Sequence, residues 1–227
     1  MISTVSVFAL LVKLGIWQLQ RSQEKADWQQ ELSFRQSQSE LSYSQLLALP
    51  SNTLYTGFRL QTQASPAMEK VLLLDNQVYQ GRVGYLAFQI MEVMPNRPWL
   101  LLELGFISTT ANRSDLPVIQ PISAPVMLTG RLYNKEANPM SAELMAEAGW
   151  PKRIQNLNLN QLSIELNHAL APAILQPDKL ASHQLPHPWQ PFPMTPEKHK
   201  GYAFQWFVMA AVFISIMGGL LLRQIKQ

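Results

Sequence analysis

Between Glu197 and Lys226 the chain reads EKHKGYAFQWFVMAAVFISIMGGLLLRQIK. From Gly201 to Leu222 no side chain carries a charge. At about 1.5 Å rise per residue, a helix of that length crosses a hydrocarbon core roughly 30 Å thick. A core helix of a soluble protein normally keeps a polar stripe, whereas only Gln205 and Ser215 interrupt this run. Residues 201–222 are therefore read as a transmembrane helix, with a short tail at 223–227.

The other end, MISTVSVFALLVKLGIWQLQR, supplies a second candidate. Ile2 to Leu19 is long enough to cross, although Lys13 lies inside it and a lysine snorkels only near an end. The stretch has no basic leader and no small-x-small cleavage site, so residues 1–20 are read as an uncleaved transmembrane helix. Two spans place both termini on one side and leave residues 21–200 as one large extramembrane domain. Arg223 and Lys226 favour a cytoplasmic tail, while Arg21, Lys25, Lys198 and Lys200 flank the opposite side. Charged residues make up 15% of the 227 and the net charge is +3, with no basic block to suit a nucleic acid. Cysteine is absent, which excludes disulfides, thiolate chemistry and Cys-ligated zinc or iron–sulfur sites.

After the first span, Trp17, Arg21, Glu24 and Trp28 fall at i, i+4, i+7 and i+11, so the helix is expected to continue out of the membrane. SQSELSYSQLLALPSN then leads into the folded body. Five short apolar or alternating runs follow: TLYTGFRLQ, KVLLLDNQVY, GRVGYLAFQIMEV, PWLLLELGFIS and APVMLTGRLYN. Turn signals at Asp75-Asn76, Gln80-Gly81, Pro95-Asn96 and Asn112-Arg113-Ser114 separate strands of regular spacing, which predicts an antiparallel meander or partly closed barrel. Leu159, Leu162, Leu166 and Leu170 predict a helix over Leu157 to Pro172, ended by the proline. The expected fold class is α+β, with two transmembrane helices flanking one mainly antiparallel β domain. Prolines at 186, 188, 191, 193 and 196 make residues 183–198 an extended, stiff connector.

His183 and His187 are four apart, but Pro186 and Pro188 break the helix a metal pair would need, so they read as exposed loop histidines. His168 reads as a structural or surface residue. No nucleophile elbow, phosphate loop or paired carboxylates appear, and nothing argues for an enzyme. His199 keeps different company. His199, Tyr202, Trp206, Met209 and Phe213 fall on one stripe of the second span. Such a stripe is either an interfacial aromatic belt or the wall of a flat apolar macrocycle with a ligandable iron. Trp17, Gln18, Arg21 and Lys25 cluster at the outer end of the first span, as a belt with snorkelling cations or as a cationic rim for carboxylates.

LGIWQLQRSQEK, Leu14 to Lys25, resembles the G-x-W-Q-x-x-R-x-x-x-K signature that closes the first span of the Surfeit locus protein 1 family. HKGYAFQWF, His199 to Phe207, resembles the His-x-x-Tyr-x-x-(Thr/Gln)-Trp-Phe signature that opens its second. The resemblance covers essentially the whole chain, in the family's order of span, large domain, span and tail. Three places depart from it. Gln77 stands where an arginine is usual after Asn76. Glu103-Leu104-Gly105-Phe106-Ile107-Ser108 replaces a Val-Asn-Arg-Gly-Trp-Val-Pro motif, of which only Gly105 and a following aromatic survive. The late Ile-Asp element is matched at best by Ile154 or Leu157 near Asn156. The chain thus resembles a divergent bacterial member.

The resemblance implies a non-enzymatic assembly factor for cytochrome c oxidase, in the bacterial inner membrane with both termini cytoplasmic. It implies help in delivering haem a to the oxidase's subunit I, or in stabilising that subunit, alongside other assembly factors and the lipid bilayer. His199 is then the axial ligand of the haem iron, Tyr202 and Trp206 wall the ring, Arg21 meets a propionate, and Trp17, Gln18 and Lys25 face the partner. A cofactor-free scaffold that clamps an oxidase subunit is the alternative.

Overall fold

The computed structural model describes residues 2–50, 52–109, 115–135, 141–181, 183–188 and 194–225. The turn signal at 112–114 and the connector residues 189–193 lie outside them. The chain divides into two compact units, residues 1–33 with 190–227 and residues 34–189.

The first unit is built from two helices, α1 (Ile2–Ser37) and α4 (Pro196–Ile225). Both are long and apolar enough to cross a membrane. Their outward side chains are apolar and exposed, among them Val5, Leu10, Ile16, Phe204, Val212 and Leu222. In water such a surface is unfavourable by about 25 cal/mol per Å², whereas lipid covers it without cost. Helix α1 continues through residue 37 without a break, as the Trp17–Trp28 periodicity predicts.

The second unit carries α2 (Tyr43–Ala48), β1 (Arg59–Tyr79), β2 (Arg82–Glu92), β3 (Trp99–Ser108), β4 (Val126–Tyr133), β5 (Lys152–Ile154), α3 (Leu159–Glu165) and β6 (Leu170–Pro177). Helix α2 starts at a capping box in which Ser42 and Gln45 satisfy each other's backbone amides. Five strands close into a ring in the order β1-β2-β3-β6-β4-β1. Closure is possible because β1 is long enough to serve two partners: Arg59 to Ala64 pair with β4, and Ser65 to Tyr79 pair with β2. The predicted partly closed barrel is present, but the sheet is mixed. Strands β3 and β6 run parallel, as do β1 and β5.

Three further expectations are corrected. TLYTGFRLQ and KVLLLDNQVY do not form separate strands; Arg59 to Tyr79 is one strand with register shifts between Pro66 and Val71 and between Leu74 and Gln77. Asp75-Asn76 is the second of these bulges rather than a turn. Asn76 takes a left-handed φ of 57°, and the Asp75 carboxylate accepts its amide at 2.7 Å. The turn falls at Gln80-Gly81, whose φ values of 49° and 75° are those of a type I′ hairpin. The helix predicted over 157–172 stops at Glu165. Asn167 turns left-handed at φ 51°, and LAPAILQP becomes β6. Pro172 sits inside that strand, where its carbonyl accepts from Asn134. His168 packs flat on Trp99, with centroids 3.7 Å apart, so it is a structural residue.

Strands β2 and β3 are buried on both faces, which is why LLLELGF reads as an apolar run broken only by Glu103. One face packs Leu73, Ala87, Leu102 and Leu175 with Tyr43 and Leu46 of α2. The other packs Leu72, Phe88, Leu101 and Ile174 with Leu162 of α3.

Candidate functional site

In the helical unit, α4 begins with Pro196 in its first turn, a position where the missing amide proton costs nothing. The carboxylate of Glu197 is held below its ordinary value by its own backbone amide and the Thr195 hydroxyl. Helices α1 and α4 then pack through three successive contacts. Ser22 Oγ, buried, donates to the Pro196 carbonyl at 3.0 Å. Gln18 meets His199. Gly15 receives the Phe207 ring so closely that a Cβ there would lie 2.6 Å from it. Ala203 and Ala210 are buried in the same seam. Small residues let helix backbones approach in a medium with no hydrophobic drive between helices.

The central contact is chemically specific. His199 Nδ1 lies 2.8 Å from Gln18 Oε1. A carbonyl oxygen only accepts, so Nδ1 carries the proton and the lone pair is left on Nε2. The two end motifs of the sequence are thus joined by a hydrogen bond between residues 181 positions apart. The other site residues sit around this pair in different ways. Trp206 and Phe213 are half-buried, whereas Tyr202 is 44% exposed and Met209 43%. The predicted stripe therefore splits between the helix seam and the outer surface. Arg21 lies over the Trp17 ring at 5.8 Å and pairs with Glu24 at 2.7 Å, and Lys25 lies over Trp28 at 5.1 Å. Both cations rest on their own helix, and both carboxylate and cation of the Arg21 pair are exposed, so that pair is held weakly.

The barrel unit holds a polar site that sequence reasoning missed. Glu103 of β3 is fully buried. Its Oε1 accepts from Gln176 Nε2 at 3.0 Å, its Oε2 accepts the Tyr133 hydroxyl proton, and His187 Nδ1 lies 2.7 Å from Oε1. Gln176 in turn accepts from Arg131 Nε at 2.5 Å, and Arg59, across the strands from Arg131, pairs with Asp178 and Glu40. A polar ladder so crosses β3, β6, β4 and β1. The readings of His183 and His187 as exposed loop histidines are corrected. Both are half-buried, and they take separate partners, His183 contacting the Gln120 carbonyl at 2.7 Å and His187 the Glu103 carboxylate. The signal available in the sequence was a lone charge in LLLELGF, because a carboxylate inside a buried strand demands donors.

Burial, reinforced by the Glu103 carboxylate, pushes the Tyr133 phenol well above its ordinary value of 10.0. An unfolded chain releases that proton near pH 10 and the folded barrel keeps it. The stability this represents is complete below pH 10 and declines above it, by about 1.4 kcal/mol per pH unit. Urea unfolding of the detergent-solubilised protein at about pH 9 and about pH 11 checks this, since Tyr133→Phe should flatten the decline.

The Asp75-Asn76 bulge borders a cavity of about 740 Å³, where Gln155 bridges Asp75 and Asn76 and Lys135 donates to Gln77. Burial lowers the Lys135 ammonium pKa, partly offset by attraction to Glu103. Among the described residues no group of three or more His, Asp or Glu side chains stands ready for a metal ion.

A family model, the SURF1 family, matches residues 5–211. The chain belongs to the SURF1 family. A search of curated proteins finds no match. The SURF1 match runs from α1 through the barrel into α4 and includes both members of the Gln18–His199 pair. SURF1 proteins are cytochrome c oxidase assembly factors rather than a known enzyme family. With two helices fit to cross a bilayer, this SURF1 protein is a membrane protein that works in oxidase assembly.

Proposed function

We propose that this SURF1 protein assists the oxidase by handling haem a beside the Gln18–His199 pair. The observation that carries the reading is the state of the His199 ring. With Nδ1–H given to Gln18, Nε2 offers the lone pair that a haem iron takes from histidine. The donor set therefore fits the group. His199 would ligate the iron, Tyr202 and Trp206 would wall the ring, and Arg21 would meet a propionate by exchanging its exposed partner Glu24. When bound, haem supplies the redox-active iron centre that the oxidase needs. The chain's own residues hold one imidazole in a fixed ring state, set aromatic side chains on its stripe of α4 and carry a guanidinium one turn beyond Gln18 on α1.

In this reading the receiving partner is subunit I of the oxidase, with other assembly factors in attendance. Both helices cross a bacterial plasma membrane, the termini are cytoplasmic and the barrel is extracytoplasmic. Co-expression with a haem a synthesis pathway, followed by a visible spectrum of the purified protein, tests the ligand. Wild type should carry haem and His199→Ala should lose it; equal haem in both overturns the assignment.

A second reading has its own observation. The Ser22–Pro196, Gln18–His199 and Gly15–Phe207 contacts join the two helices directly. His199 would then serve only to register a cofactor-free scaffold, with Trp17 and Arg21 as partner contacts. Co-purification of subunit I that survives His199→Ala but is lost on Trp17→Ala with Arg21→Ala selects the scaffold.

A further inference from the structure

We infer that Gln18 is the positioning residue that selects the iron-binding nitrogen of His199; the step beyond ring state, to haem, rests on the reading above. A neutral imidazole has two tautomers, and the hydrogen bond made by one nitrogen decides which nitrogen keeps the lone pair. Gln18 Oε1, 2.8 Å from Nδ1, decides it in favour of Nε2.

The placement of Gln18 is enforced from both sides along the helix. Gly15, close to one turn before it, lets Phe207 seat against the α1 backbone. Ser22, one turn after it, is buried and bonded to the Pro196 carbonyl. These two contacts fix the register of α1 against α4, so the amide has little freedom to leave the imidazole. The choice of an amide matters as well. A glutamine accepts the Nδ1 proton without bringing a charge, which leaves the ring neutral and able to ligate. A carboxylate in its place would draw the proton harder and make the ligand more basic. An apolar residue would leave both tautomers open.

Two measurements test this. The first uses haem-free, full-length protein in detergent with ¹⁵N-labelled histidine, at a pH near 8 where imidazole is neutral. The His199 signals are those missing from His199→Ala among the chain's 4 histidines. Wild type should show a protonated Nδ1 and a bare Nε2, and Gln18→Leu should move the ring to a mixture or to the other tautomer. A bare Nδ1 in wild type, or no change in Gln18→Leu, overturns the inference.

The second uses protein loaded by co-expressed haem a synthesis. Gln18→Leu should bind haem about tenfold or more weakly. Gln18→Glu, which keeps size and hydrogen bond and so preserves the helix pair, should raise the iron–histidine stretching frequency and lower the midpoint potential. Unchanged frequency and potential in Gln18→Glu count against the inference even where Gln18→Leu fails to fold. Equal haem in wild type and His199→Ala removes the haem reading alone, because the ¹⁵N measurement judges the ring state without any haem.

Discussion

Replacing Glu103 with alanine should lower the unfolding free energy of the protein by about 3–5 kcal/mol. The carboxylate is fully buried and receives three partners, Tyr133, Gln176 and His187. Alanine removes the acceptor from the buried Tyr133 hydroxyl and Gln176 amide and from the half-buried His187, and each buried group left unpaired costs about 1–3 kcal/mol. It also leaves a cavity between β3 and β6. For a protein of this size the melting temperature should fall by roughly 10 °C. Glu103→Gln tests the cause, because it keeps the shape and one acceptor while removing the charge. It should retain most of the stability, since two of the three partners are neutral donors. Thermal unfolding of the three proteins in one detergent decides the matter, and a Glu103→Ala protein as stable as wild type would sink the argument.

Substituting Gly105 should release the segment that carries His187. Gly105 has a φ of 123°, a conformation that side-chain-bearing residues rarely adopt, and it lies at the bulge where β3 slips register against β2. Leu185 lies directly against it, and a Cβ on Gly105 would be 2.5 Å from the Leu185 Cβ. The next residue, Phe106, donates its amide to the Pro186 carbonyl at 2.7 Å. Gly105→Val therefore costs about 1–3 kcal/mol in backbone strain and pushes residues 183–188 off β3. The loss extends to the His187–Glu103 contact, two residues away on each side. Hydrogen exchange should rise at the Phe106 and His183 amides, which donate to the Pro186 and Leu180 carbonyls, well beyond the rest of the barrel. Wild-type protection at those amides in Gly105→Val would contradict the close packing described.

These residues also mark how far the sequence could be read. The two long helices were legible because uncharged length is a signal that needs no partner. The ring of strands was legible from alternation and from turns such as Gln80-Gly81. Strand β6 was not, because Leu159, Leu162, Leu166 and Leu170 keep a helical period across Asn167, whose left-handed backbone breaks the helix. At the site, His199 stood out through its aromatic neighbours. The Gln18 contact lay beyond reach, because no local pattern joins residues 181 apart. Glu103 was read as the loss of a motif. In the fold it is the anchor of a different set of contacts, whose partners come from β4, β6 and the segment after Leu180.

The pairing of α1 with α4 has a consequence for the order in which the protein matures. On a ribosome the first helix emerges long before its mate, and closing a flexible loop of that length costs about 4–5 kcal/mol in chain entropy. A barrel folded in between removes most of that cost, since it replaces a wandering chain by a body of fixed ends. The helix seam therefore cannot form until α4 has been synthesised, and its closure costs least on a chain whose barrel has already folded. A chain that stalls in the barrel leaves Gln18 facing no histidine, so the Gln18–His199 pair exists only in molecules whose second helix has been made.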